Sequence, residues 1–423
     1  MNSASECRNY VIEQPAPIYL DQTDTMLLRR NSMLSTGKTT LFTLFLILAV
    51  TLSACAPKTV PSNKRRSKNE PTTLKKGIPI LGRRILNSIP EKKALVLLEP
   101  FKEATLYDEI QASVEIERLL LELASRKKHP GIKFISTADA SDRELEKADY
   151  ILKGVISYSA LPEQPTQKYY RILASLADRK TGALTARESI WVYSVPYGKL
   201  ELPVITADPT AKRKVTEIIN KQKLSVRDIK TDAQIAKAKA AYRNGQYTKV
   251  IDILKQLIKS SGKGALDAYR MLYLASLKMN NFSAAETAFF NMIKIGFKNT
   301  HKMPLLFLFE SNSIEFAPNR STHEYDIWIR QLITYLKENE KKCMHITGHT
   351  SKQGEFQYNI ELSSNRAAYI KKRLVRESAT PKLGERITVE GKGETATKDG
   401  SEPDSDQNMI DRRVEFELFD CSP

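Results

Sequence analysis

The chain has 423 residues, enough for two or three domains, and its 41% hydrophobic and 27% charged content is that of ordinary folded protein, which excludes a polytopic membrane protein. Seventeen Gly and nineteen Pro exclude collagen-like and low-complexity chains, and four Cys with no Cys-x-x-Cys pair exclude a disulfide-dense scaffold. The formal charge is +17, all of it beyond residue 54, because Arg8, Arg29, Arg30 and Lys38 balance Glu6, Glu13, Asp21 and Asp24 before that point; such a chain attracts nucleic acid, acidic membranes or anionic polymers alike.

Arg29, Arg30 and Lys38 precede an apolar run from Leu41 to Leu52. That run has the length of a signal-peptide core and falls short of the roughly 20 residues a spanning helix needs. It ends in Leu52-Ser53-Ala54-Cys55, where small residues leave a cleavage site accessible and Cys55 offers a thiol for acylation. Basic flank, apolar core and small-small-Cys in this order resemble the lipobox of bacterial lipoproteins. The resemblance implies that 1–54 is leader and signal peptide, with Met26 or Met33 as alternative starts, and that lipidated Cys55 becomes the mature amino terminus. With Ala56 rather than Asp after the Cys, it implies an anchor in the cell outer membrane, on the periplasmic face. Export of this kind excludes nucleic acid as a partner.

Residues 55–91 read as a lipidated basic linker. Eleven basic residues from Lys58 to Lys93 face only Glu70 and Glu91, and apolar periodicity is absent until about Ile78. Such a segment serves as a solvated tether or lies on anionic head groups.

Residues 92–200 predict an αβ domain. Ala94–Leu98 is a buried-strand run, Ile116, Leu119, Leu120 and Leu123 share a helix face, and Ile132–Ile135 is a second strand. Tyr150–Ser159, Tyr169–Ala177 and Glu188–Tyr193 follow as strands separated by turn chemistry, which suggests a sheet with an antiparallel portion covered by helices. The phrase Ala148-Asp149-Tyr150-Ile151-Leu152-Lys153-Gly154 and the later Asp178-x-x-Thr181-Gly182 resemble lipoproteins that include penicillin-binding-protein activators and the curli secretion channel protein.

Residues 208–300 predict a helical segment, with a charged connector at 208–230. Beyond it two helical hairpins repeat: Gly245, Tyr247 and Val250 recur 35 residues later as Asn280, Phe282 and Ala285. The pattern resembles tetratricopeptide repeats. Two such units are fewer than an array needs, so the helix around 211–224 or the next domain is expected to cover their exposed face.

Residues 303–420 predict a βαβαββ domain with helices on one face of a mixed sheet. Strands are expected near Leu305–Phe309, at Met344–Thr347, at Ile387–Val389 and at Val414–Phe419, with helices through Ile329–Leu336 and from Tyr358 to Arg376. Four blocks stand in order here: Ile346-Thr347-Gly348-His349-Thr350; Tyr358-Asn359, Leu362-Ser363 and Arg366-Ala367; Gly391-x-Gly393-Glu394; and Arg412-Arg413-Val414-Glu415. Together they resemble the OmpA-like peptidoglycan-binding domain. The resemblance implies that Arg366 clamps the diaminopimelate carboxylate of a stem peptide, that Asn359 and Leu362 shape the pocket, and that Arg412 and Arg413 support or line it. The alternative for either Arg is a structural salt bridge to Glu390 or Glu394.

One position departs from the family pattern. Ser351 stands where the family carries Asp, so a charge-assisted bond to the ligand's amine is replaced by a neutral one. Binding is then weaker or directed to a modified stem peptide, with nearby Glu355 as a substitute acid. Cys343 and Cys421 flank the second and last strands and are candidates for a disulfide if those strands run antiparallel. Cys343-x-His345-x-x-x-His349 lacks an acidic partner and is set aside as a metal site.

The fold class is therefore α/β and α multi-domain: a central αβ sheet, a short helical-hairpin repeat and a C-terminal OmpA-like domain. No Ser/His/Asp, paired-carboxylate or metal constellation marks an enzyme, and no cofactor is implied. The leading reading is an outer-membrane lipoprotein that binds peptidoglycan non-covalently and links envelope to wall. The alternative is a periplasmic regulator or assembly factor whose central segments engage a protein partner in a cell-wall synthase, secretion or flagellar complex.

Overall fold

The computed structural model describes residues 70–104, 108–125, 130–198, 226–261, 265–305, 307–316, 322–395 and 411–421. All of them fall within one unit, Lys64–Pro423. The expected signal peptide, Cys55, the linker expected up to residue 69 and the helix expected around 211–224 all lie outside the described residues.

Helix α1 (Leu74–Asn87) corrects the linker reading of 55–91. Leu74, Ile78, Leu81 and Ile85 form a buried stripe at helical spacing, while Lys75, Lys76, Arg83 and Arg84 occupy the remaining surface. Gly77 and Gly82 allow close packing, since a Cβ at either would lie 2.6 Å from Ile190 Cδ1 or 2.5 Å from Leu123 Cδ2. Basic composition hid an amphipathic helix that belongs to the first sheet.

That sheet contains β1 (Ala94–Leu98), β2 (Lys102–Glu103), β3 (Ile132–Ser136), β4 (Tyr150–Leu161), β5 (Gln164–Asp178) and β6 (Leu184–Val192). Its order is β3-β1-β4-β5-β6, with β2 beside β4; β1 runs parallel to β3 and β4, and the β4-β5-β6 portion is antiparallel. Helices α1 and α2 (Gln111–Ala124) contribute to one core. On β1's other face Leu97 joins α3 (Asp142–Lys147) and α4 (Val226–Arg243) through Leu145, Ile229 and Ala233. A strand covered on both sides is apolar throughout, as Ala94–Leu98 is. Asp149 ties the strands together by accepting from the Leu95 N–H at 2.9 Å. Gly154 leaves space for the buried Phe101 ring, which a Cβ would meet at 2.0 Å.

Helix α4 is followed by α5 (Tyr247–Ser261), α6 (Ala265–Lys278) and α7 (Phe282–Thr300). The α4–α5 and α6–α7 turns contain Gly245 at φ 72° and Asn280 at φ 54°, so the repeated position is the left-handed residue that ends each first helix. Two different joints hold this helical segment. Toward the first sheet, Lys239 pairs with Asp108 (2.6 Å) and Glu109 (3.2 Å), Arg243 pairs with Glu109 (2.9 Å), and Arg270 pairs with Asp108. Toward the second sheet the joint is aromatic. Trp328 Nε1 donates to the Tyr273 hydroxyl at 2.8 Å, and Arg330 pairs with Glu286.

The second sheet has β7 (Lys302–Leu305), β8 (Lys342–Gly348), β9 (Ile387–Gly391) and β10 (Val414–Asp420) in the order β7-β10-β8-β9. β10 is antiparallel to β7 and β8, and β8 is parallel to β9. Helix α8 (Thr322–Glu338) and helix α9 (Phe356–Ser378) complete the βαβαββ order. The expected first strand at Leu305–Phe309 is displaced. β7 ends at Leu305, and Phe309 makes only an isolated bridge to Phe316 because 307–316 folds back on itself. Cys343 and Cys421 form a disulfide with Cα atoms 5.0 Å apart, next to the Phe419–Cys343 register pair. Cys343 is thus not a metal ligand, and His345 lies between Thr388 Oγ1 (2.8 Å) and Glu390 (3.2 Å).

Candidate functional site

The site is built where the ends of β8 and β9 meet the first half of α9. Contact at this depth requires glycine. A Cβ on Gly348 would lie 2.0 Å from Ser363 O, and one on Gly391 would lie 2.4 Å from Ile360 O. Ser363, fully buried, donates from Oγ to Ile360 O (2.8 Å) and accepts the Gly393 N–H (2.9 Å). Three loops then join: Lys392 N–H donates to Gly348 O (3.0 Å), Thr350 N–H to Gly393 O (2.9 Å) and His349 N–H to Arg413 O (3.0 Å).

Asn359, Leu362, Ser363 and Arg366 follow i, i+3, i+4, i+7 spacing, which sets them along one face of α9. All four are buried, as is Ser351. Asn359 Nδ2 donates to Gln353 O (2.9 Å) and to Glu394 Oε2 (2.8 Å). Glu355 sits at the N-cap of α9, exposed, and makes no side-chain cap bond.

Arg366 is 1% exposed. Its guanidinium is held by backbone: Nε donates to Ser313 O and Nη2 to Glu310 O, each at 2.9 Å. The plane lies over the Phe309 ring, 5.0 Å from its centroid. Among the described residues Nη1 is buried with no hydrogen-bond partner, and none of their carboxylates is among the groups acting on it. Burial, reinforced by the like charge of Arg412, pulls its pKa down to about 10. A cation desolvated in this way carries an unmet demand for an anion. Thr350 Oγ1 is likewise buried without a partner among the described residues.

The two arginines before β10 divide. Arg412 is half-buried and acts electrostatically on Arg366. Arg413 is buried, and its Nε donates to Glu415 Oε1 at 2.7 Å. This corrects the expected acids: Glu390 sits with His345 and Lys392, and Glu394 holds Asn359. Burial by itself would raise the Glu415 pKa, but the His349 hydrogen bond and the Arg413 charge hold its carboxyl far below the usual range. The pairing is legible in the sequence, since Arg413, directly before β10, and Glu415, two residues on, share a face in extended chain. The carbonyls of Glu310 and Ser313 carried no such signal, because any residue type supplies a carbonyl.

Residues 308–410 match the OmpA family, and the C-terminal part of the chain is an OmpA-family domain. Among solved structures the chain is similar to the periplasmic domain of MotB from Helicobacter pylori, at 18% identity over 29% of this chain and 76% of that one, with TM-score 0.24. It is also similar to the peptidoglycan-associated lipoprotein from Burkholderia pseudomallei (20% identity, 26% and 86% coverage, TM-score 0.22). A third is the cell wall anchor of the type VI secretion system from Pseudomonas aeruginosa (22% identity, 28% and 80% coverage, TM-score 0.23). No curated protein matches the chain.

Proposed function

We propose that this protein is an outer-membrane lipoprotein, acylated at Cys55, whose C-terminal domain binds peptidoglycan non-covalently and so links envelope to wall. In this reading 1–54 is removed, a basic tether follows Cys55, and the αβ sheet and helical hairpins stand between anchor and wall-binding domain. The role is one of binding and not of catalysis. The observation that carries it is the buried Arg366 guanidinium, held on two carbonyls, with no acidic partner among the described residues, which leaves Nη1 for a ligand. A planar carboxylate such as that of diaminopimelate suits such a donor. By the same resemblance Ser351 stands where the ligand's amine would meet an acid, so that amine gains only a neutral contact.

Co-sedimentation of the full chain with purified sacculi tests the reading. Arg366→Ala is expected to remain in the supernatant, and Ser351→Asp to pellet at lower wall concentration than wild type. If Arg366→Ala pellets as wild type does, the anion site is misassigned. Radiolabelled palmitate incorporation into wild type and Cys55→Ser tests the anchor separately; equal labelling of both removes it.

A further inference from the structure

The segment that cradles Arg366 is itself fixed from behind. Residues 307–316 turn on Asn312 at φ 52°, with Glu310 N–H donating to Glu315 O (2.9 Å) and Phe309 bridged to Phe316. The segment is pinned to α8 at one polar point, where the Tyr325 hydroxyl accepts the Leu308 N–H at 3.0 Å. Tyr325 packs edge-on against Trp328 (5.3 Å between centroids), and Trp328 donates to Tyr273 on α6. Tyr273, Tyr325 and Trp328 are all fully buried.

We infer that Tyr325 is a positioning residue for Arg366, setting where the Glu310 and Ser313 carbonyls stand, and that the helical hairpins brace it through Tyr273 and Trp328. The inference rests on the wall-binding reading for its functional consequence, though its geometric part does not. A guanidinium hydrogen-bonded at Nε and Nη2 has its free Nη1–H direction fixed by those two acceptors. Any slip of the 307–316 turn re-aims the donor that meets the ligand. Leu308 is two residues from Glu310, so the Tyr325 bond acts close to the cradle, while Trp328 and Tyr273 link it to a different part of the fold by direct contact.

The test uses the full chain labelled with ¹⁵N-arginine, as wild type, Tyr325→Phe and Tyr273→Phe, titrated with a soluble muropeptide bearing a diaminopimelate stem. Each variant keeps its ring and loses one hydroxyl. Tyr325→Phe is expected to bind about 3- to 10-fold more weakly, the loss of one aligned hydrogen bond, and to shift the Arg366 Nε–H resonance in the unliganded protein. Tyr273→Phe is expected to move both readouts in the same direction by less. An unmoved Arg366 resonance in Tyr325→Phe overturns the inference, whether affinity is kept or lost, because lost affinity alone would mark general destabilisation. Should wild type itself not bind the muropeptide, the functional reading fails while the Arg366 resonance still decides the positioning role.

Discussion

The ring of Phe289 lies flat on that of Trp328, 5.7 Å between centroids and 2° between planes, although the first belongs to the last hairpin helix and the second to the OmpA-family domain. The two side chains are fully buried together with Tyr273 and Phe307. Two hairpins are too few to stand alone, and here the following domain covers the face they leave open.

The shared core makes the hairpins and the second sheet one cooperative unit. Phe289→Ala is expected to cost about 3–5 kcal/mol. Denaturation followed by far-UV circular dichroism and by Trp328 fluorescence should show coincident transitions at the lowered midpoint. Separate transitions would mean that the two parts fold independently.

Helix α1 gives a prediction that separates a packed element from a tether. Ile78 is fully buried. Ile78→Ala is expected to destabilise the chain by about 2–5 kcal/mol in urea unfolding, whereas the same change in a solvated linker would leave the midpoint where it was.

Arg366 can be changed without a cavity. Arg366→Met removes a desolvated charge while forfeiting two bonds to carbonyls, and these effects oppose each other, so stability should stay within about 1–2 kcal/mol of wild type. Wall binding should nevertheless be lost. Thermal melts beside sacculus co-sedimentation check both halves, and a protein that binds normally would show that the guanidinium is structural.

Glu415 sets part of the acid response. Its carboxyl titrates near 4.5 when unperturbed and much lower in the fold, so below about that pH the unfolded chain binds more protons than the native one. Its stabilisation is complete above that range and is lost as pH falls through it, at no more than about 1.4 kcal/mol per pH unit. Glu415→Gln should flatten that limb of a stability–pH curve measured by urea denaturation. An unchanged slope would place the acid sensitivity in other carboxylates.

What could be read in the amino-acid order follows from which constraints are written in side chains. Gly348, Gly391 and Gly393 are forced by backbone contact with α9, and Gly245 and Asn280 by left-handed turns, so the C-terminal motif and the 35-residue repeat were visible. Helix α1 carries a weak sequence signal because its outer face is as basic as the segment before it and Pro79, a residue that disfavours helix, lies within it. The cradle around Arg366 carries no sequence signal, since Glu310 and Ser313 act through carbonyls, and the acid that takes Arg413 is neither Glu390 nor Glu394 but Glu415, two residues away.

Strand β10 lies between β7 and β8, although its residues come after both in the chain. As the polypeptide is made, β7 and β8 therefore have an empty slot between them until residues 414–420 emerge. The C-terminal sheet cannot close early; it locks only when its last strand arrives.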